Sequence, residues 1–130
     1  MDTKSIVSII LVGLVLLAGY VTFRPDNSAG ARKISADEAK TLLDRGEAII
    51  VDVRSPSEYS GGHIGNALLL PVADIKSKAG GLLPDKEQAI IVYCQSGRRS
   101  ANAAKTLATM GYSNVYDLGG IGNWTHGTVR

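Results

Sequence analysis

The 130-residue chain contains only one cysteine, one tryptophan and one phenylalanine. A single cysteine excludes an intramolecular disulfide, so stability has to come from packing, and the thiol remains available for chemistry. An excess of charge is also lacking, because 14 basic and 12 acidic residues leave a formal net charge of +2. No basic stripe is interleaved with aromatic residues, so the sequence does not indicate nucleic-acid binding.

One long uncharged run is present, at residues 6–23. A helix of this length rises about 27 Å, close to the hydrocarbon thickness of a bilayer, so residues 1–24 are predicted to form a transmembrane anchor. A cleaved signal peptide is the alternative, since small residues precede a possible cleavage position near Ala31. This layout favours an extracytoplasmic domain, anchored or else secreted or periplasmic, although the basic residues that follow the run favour the opposite orientation.

The rest of the chain predicts a single α/β domain. Residues 25–33 are small, polar and turn-rich and are predicted to be a linker, which leaves residues 34–130 for the domain. Ser35 and Glu38 have the spacing of a capping box, so a helix is predicted from there to Asp44. Further strands and helices are predicted along the chain: strands at residues 48–53, 67–70, 89–93 and 114–116, and helices at 72–78 and 99–110. This alternation predicts a central, mostly parallel sheet with helices on both faces.

Cys94 ends the apolar run at residues 89–93 and opens the segment CQSGRRS. If this segment curls over the sulfur and leads into a helix, backbone N–H groups and the helix dipole lower the pKa of the thiol. Gly97 permits the backbone conformation that such a loop needs. The sequence therefore predicts a catalytic cysteine in a loop that binds small anions. Its predicted binding groups are Gln95, Ser96, Gly97, Arg98, Arg99 and Ser100.

Four polar residues upstream are predicted to support this loop. Asp52 is expected to hydrogen-bond the loop backbone or Arg54, and Glu58 to pair with Arg54 or cap a short helix. His63 is expected to fix a turn through its ring nitrogens, with a proton relay as the alternative. None of these residues has the spacing of metal ligands with Cys94, so no metal site is predicted.

Together these motifs resemble those of the rhodaneses, a family of single-domain sulfurtransferases. The resemblance covers VDVRSPSEY at 51–59, GHIGNA at 62–67, the cysteine loop, GYSNV at 111–115 and GGIGNW at 119–124. It implies that Cys94 accepts a sulfane sulfur from thiosulfate or a similar anionic donor and passes the resulting persulfide sulfur to cyanide or a thiol. It implies no metal or organic cofactor. By position, Arg98 and Arg99 are assigned to the sulfite leaving group, with Arg98 facing solvent and Arg99 bracing the loop.

Three alternatives remain open at this stage. Tyrosine phosphatases use the pattern H-C-x5-R, whereas here Tyr93 precedes the cysteine and Arg99 comes one residue early, which favours a persulfide over a phosphoryl group. A persulfide carrier for an unidentified protein partner would use the same cysteine. A redox module would oxidise this thiol and rely on an external thiol for its reduction.

Overall fold

The structure, a computed structural model, describes residues 30–130. Its strands are β1 (Arg32–Lys33), β2 (Ala48–Asp52), β3 (Leu68–Leu69), β4 (Ala89–Cys94) and β5 (Val115–Gly120). Its α-helices are α1 (Ala36–Asp44), α2 (Pro56–Gly61), α3 (Ile75–Leu82) and α4 (Arg98–Thr109). Single turns of 3-10 helix occupy Val72–Asp74 and Ile121–Asn123.

The strands form one parallel sheet in the order β1-β5-β4-β2-β3. β4 lies at the centre between β2 and β5, and every residue of β4 after Ala89 is buried. A strand that is covered on both sides has no solvent-facing positions, which explains why its sequence is an apolar run rather than an alternating one. The predicted parallel α/β sheet is confirmed.

Helices cover both faces of this sheet, as the sequence predicts. Ile90, Val92 and Cys94 point to the side packed by α3 and α4. Ile91 and Tyr93 point to the other side, which α1 and α2 cover. Successive side chains of a strand alternate between faces, so β4 contributes to both cores, and its last residue points towards α4.

The boundaries of one predicted helix and one predicted strand differ from the structure by several residues. The predicted helix at 72–78 is a 3-10 turn followed by α3, which continues through Gly80 and Gly81 and buries its own residues Ile75 and Ala79 completely against the core. Packing outweighs the low helix propensity of glycine here. β5 also extends beyond the predicted residues 114–116, into a glycine pair that β propensity disfavours.

The first residues that pair in the sheet lie before Ile34, the predicted start of the domain. Arg32 and Lys33 pair with Tyr116 and Asp117 of β5, inside the segment predicted as a linker. The predicted membrane segment at residues 6–23 lies outside the described residues. Between residues 30 and 130, no helix has the length and apolar character needed to cross a bilayer.

Candidate active site

Cys94 is the last residue of β4, and its side chain is completely buried. Gly97, with a φ of 99°, takes the left-handed conformation and serves as the N-cap of α4. This conformation, which glycine adopts without steric cost, turns the chain back over the sulfur. The Gly97 N–H then donates a hydrogen bond to Cys94 Sγ at 3.0 Å. The sulfur therefore lies at the positive end of a 12-residue helix.

Hydrogen bonds hold the pKa of the Cys94 thiol below its ordinary value. Burial acts to raise this pKa, but donation from the backbone and hydroxyl of Ser100 and from the N–H groups of Gly97 and Ser96 outweighs it. The Ser100 hydroxyl has only one proton, and the Gly97 carbonyl oxygen, 3.0 Å away, also accepts it. This hydroxyl therefore cannot donate to both acceptors at once. The backbone donors therefore supply the more dependable part of the stabilisation.

Alkylation of Cys94 by iodoacetamide should show a midpoint below the pH of about 8.5 that an ordinary cysteine gives. Because the folded-state pKa is the lower one, the thiolate stabilises the fold above the unfolded-state pKa, and this contribution is lost as pH falls through the folded-state pKa. The same titration in denaturant is the control and should return the ordinary midpoint. A native midpoint equal to the denatured one would contradict the account.

A bidentate ion pair joins the loop to α2. Arg99 Nη1 and Nη2 donate to the two carboxylate oxygens of Glu58 at 2.7 and 2.9 Å. Glu58 also accepts from the backbone N–H of Ser55, which completes a capping box on α2. The Arg99 hydrogen bonds, with help from Ser55 and against the effect of burial, lower the pKa of Glu58 to about 2. Of the two predicted roles of Glu58, the cap is present, whereas the carboxylate pairs with Arg99 rather than Arg54.

Arg54 pairs instead with Asp52, as was also predicted, in a contact that is almost completely buried. Its Nε lies 3.0 Å from both Asp52 carboxylate oxygens, and its Nη2 donates to Oδ2 at 2.7 Å. The other terminal nitrogen, Nη1, does not contact Asp52 and donates to Gln95 Oε1 at 3.1 Å. Arg54 thereby links the end of β2 to Gln95, the residue that follows Cys94 in the cysteine loop.

Tyr93 completes this buried network from the neighbouring strand. Its hydroxyl donates to Asp52 Oδ2 at 2.7 Å and accepts from the Ile64 N–H at 3.0 Å. Burial is the main cause that raises the pKa of Tyr93, so the phenol stays protonated and remains a donor. The sequence placed Tyr93 in an apolar strand directly before the cysteine and did not predict this role.

His63 lies in the turn after α2. Its ring stacks on Tyr59 with centroids 3.7 Å apart, and Nδ1 lies 2.8 Å from the Tyr59 carbonyl oxygen. Its backbone pairs with Val129 in both directions. These contacts correspond to the predicted turn-fixing role, and they lie outside the cysteine loop.

The end of β5 packs directly against the cysteine loop. Gly120 pairs with Cys94, and a Cβ at this position would come within 2.7 Å of the Gln95 carbonyl oxygen. Asp117 fixes the approach by accepting from the Gly119 N–H at 2.8 Å. Two glycines that follow a strand signal indicate close backbone approach, and this signal could have identified the contact from sequence.

Arg98 occupies the first turn of α4, and its side chain is exposed. Gln95 and Ser96 are also exposed at the mouth of the loop. Across residues 30–130, no group of three or more His, Cys, Asp or Glu side chains has the arrangement of a metal site. The site therefore combines a buried thiol, converging N–H groups and a solvent-facing guanidinium. Such a combination is typical of α/β proteins that react with small anions through a cysteine thiolate.

Comparison with known proteins identifies the family within this class. Residues 35–126 match the Rhodanese-like domain, and the chain belongs to the rhodanese family. Thiosulfate sulfurtransferase GlpE from Coxiella burnetii is 36% identical over 94 residues, which cover 72% of this chain and 86% of the relative. Thiosulfate sulfurtransferase PspE from Escherichia coli is 37% identical over 71 residues, covering 55% and 68%.

Solved structures of sulfurtransferases have the same fold. Human single-domain sulfurtransferase TSTD1 superimposes with a TM-score of 0.65 at 30% identity, over 73% of this chain and 96% of that one. An Escherichia coli rhodanese with anions gives a TM-score of 0.61 at 32% identity, over 64% and 98%. These relatives support a sulfurtransferase role at the level of the family.

Proposed function

We propose that this protein is a thiosulfate-type sulfurtransferase that carries sulfur as a persulfide on Cys94. The observation that carries the proposal is the donation of the Gly97 N–H to Cys94 Sγ at 3.0 Å, at the N-terminus of α4. Donors at this position stabilise a thiolate, and they can also stabilise negative charge on an outer persulfide sulfur. The thiosulfate sulfurtransferases among the relatives support thiosulfate as the donor.

In the first half-reaction, the Cys94 thiolate attacks the outer sulfur of thiosulfate. A bond forms between Sγ and that sulfur, while the bond to the sulfonate sulfur breaks and sulfite leaves with the bonding electron pair. In the second half-reaction, cyanide or a thiolate attacks the outer sulfur, and Cys94 departs as a thiolate. Atoms and electrons balance without an oxidant or a general base, because the nucleophile enters as a preformed thiolate.

The two arginines have different roles in this proposal. Arg98 is exposed at the mouth of the loop, where a guanidinium attracts the donor and holds the departing sulfite. Arg99 is held on Glu58 and braces the loop from α2. The Asp52–Arg54 pair braces the other end of the loop through Gln95.

The experiment that tests the proposal is a steady-state assay of thiocyanate formation from thiosulfate and cyanide. We expect saturation with thiosulfate and complete loss of turnover after stoichiometric alkylation of Cys94. A parallel assay with p-nitrophenyl phosphate should stay at the uncatalysed rate. Folded protein that forms no thiocyanate would refute thiosulfate turnover, and sulfur transfer to Cys94 from a persulfide donor in the same preparation would then favour the carrier alternative.

The proposal extends to the location of the protein: an anchor at residues 6–23 with the rhodanese domain outside the cytoplasm. Its support is the uncharged N-terminal run alone. Membranes from the native host should retain the protein during carbonate extraction, whereas release with a new N-terminus near Arg32 would favour signal cleavage. A C-terminal reporter that is active only outside the cytoplasm should give signal, and a silent reporter would refute export.

A further inference from the structure

The two adjacent arginines of the cysteine loop differ in how their charge is compensated. Consecutive residues of a helix point about 100° apart, so Arg98 and Arg99 face different surroundings. Both terminal nitrogens of Arg99 bind the two oxygens of Glu58. The Arg98 side chain is exposed, and no carboxylate within residues 30–130 forms an ion pair with it.

Glu58 is held in place independently of Arg99. Its Oε1 accepts from the Ser55 backbone N–H at 3.2 Å and from the Ser55 hydroxyl at 3.0 Å. Both partners of the pair remain in contact with solvent, with Arg99 37% and Glu58 31% exposed. The Glu58 carboxylate is therefore fixed, and its bidentate contact restrains the Arg99 side chain. The pair differs in this respect from two mobile surface charges that meet only transiently.

We propose that Glu58 is a positioning residue that sets the charge selectivity of the Cys94 site. By restraining and neutralising Arg99, it leaves Arg98 as the uncompensated guanidinium of the 94–100 loop. With Arg99 neutralised, the Arg98 guanidinium offsets the negative charge of the Cys94 thiolate, so the site gives dianionic sulfur donors little advantage over monoanionic ones. The part of this inference that concerns sulfur donors rests on the proposed function, whereas the part that concerns charge at the thiol does not.

The size of the effect follows from Coulomb's law. Removing the Glu58 charge adds one net positive charge near the thiol, and the resulting attraction grows with the charge of the reagent. At a separation of ~8 Å and an effective dielectric constant of ~65, between the values for a protein surface and for bulk water, the gain is roughly threefold per unit of negative charge at low salt. Thiosulfate, a dianion, should then gain about ninefold in kcat/KM, and a monoanionic thiosulfonate about threefold.

The variant for the test is Glu58→Gln, which keeps an acceptor oxygen for Ser55 and the helix cap but removes the charge. The measurement is the ratio of Cys94 alkylation rates with iodoacetate, a monoanion, and iodoacetamide, its neutral analogue of similar size. Both reagents react with the same thiolate, so a change in thiolate fraction cancels in the ratio. We expect the ratio to rise about threefold at low salt and to return towards the wild-type value as salt is added.

Two controls separate charge from structure. The double variant Glu58→Gln/Arg99→Gln removes both charges, so its ratio should equal that of the wild type. Asp44 is the last residue of α1 and forms an ion pair with Lys40. Asp44→Asn removes this carboxylate and should leave the ratio unchanged. Because α1 ends before β2 begins, Asp44 lies towards the edge of the sheet opposite to Cys94.

The outcomes distinguish this inference from the proposed function. An unchanged ratio in folded Glu58→Gln overturns the inference even if thiosulfate turnover is normal. A raised ratio without thiosulfate turnover supports the charge role and counts against the proposed function. If Glu58→Gln does not fold by circular dichroism, Arg99→Gln takes its place. That variant leaves the Glu58 charge uncompensated and should lower the ratio about threefold, and an unchanged ratio there overturns the inference.

Discussion

Replacement of Cys94 by serine should abolish the formation of thiocyanate from thiosulfate, with a loss of at least about 10³-fold. The serine hydroxyl is not ionised near neutral pH, and its oxygen cannot carry a sulfur atom as a persulfide. The fold should persist, because serine is similar in size to cysteine and can accept the hydrogen bond that Gly97 donates to Sγ. Steady-state assays of purified protein and a thermal melt provide both measurements.

Two further variants make this result interpretable. Cys94→Ala should be equally inactive, which excludes a weak oxygen nucleophile as the source of any residual rate. Asp44→Asn, on an exposed ion pair remote from the loop, should retain wild-type turnover. Turnover by folded Cys94→Ser well above the level of Cys94→Ala would refute the assignment of the sulfur-carrying atom.

Replacement of Asp52 by alanine should lower the free energy of unfolding by about 3–5 kcal/mol. The change leaves Arg54, whose side chain is 4% exposed, without its carboxylate partner, and it removes the acceptor of the Tyr93 hydroxyl. A buried charge without a partner and a buried donor without an acceptor are each costly. Urea denaturation followed by circular dichroism measures the loss.

The matched control for this prediction is Asp44→Ala. Asp44 also forms an ion pair, with Lys40, but both side chains are at least 40% exposed, so the loss should stay below about 1 kcal/mol. Because Arg54 also holds Gln95, folded Asp52→Ala should show a Cys94 alkylation midpoint closer to that of an ordinary cysteine. An Asp52→Ala loss no larger than that of Asp44→Ala would contradict the role assigned to the network.

Local sequence signals were sufficient to predict most of the fold. The apolar run ending at Tyr93 predicted the central strand, and the spacing of Ser35 and Glu38 predicted the start of α1, where the Ser35 side chain accepts from the Glu38 N–H. The glycine-containing ends were less predictable. α3 continues through two glycines because its own residues Ile75 and Ala79 are buried against the core, and burial of this kind depends on the tertiary structure.

In the candidate site, too, the contacts between residues close in sequence were predictable and those between distant residues were not. Contacts within the loop follow from short spacing, as with Gly97 and Cys94, three residues apart. The Arg99–Glu58 pair joins residues 41 positions apart, and so does the hydrogen bond from Tyr93 to Asp52. Such contacts depend on how α2 packs beside the loop and how β2 aligns with β4, and no local pattern encodes either arrangement.

The most direct test of the sulfurtransferase proposal is the intact mass of the folded protein after incubation with thiosulfate. The account predicts one adduct of about 32 Da, a single sulfur atom, on the peptide that contains Cys94. Cyanide should remove this adduct and release an equivalent amount of thiocyanate, and the Cys94→Ser variant should gain no mass. A folded protein in which a thiol reagent detects one free thiol, but whose mass stays unchanged after thiosulfate treatment, would contradict the central claim.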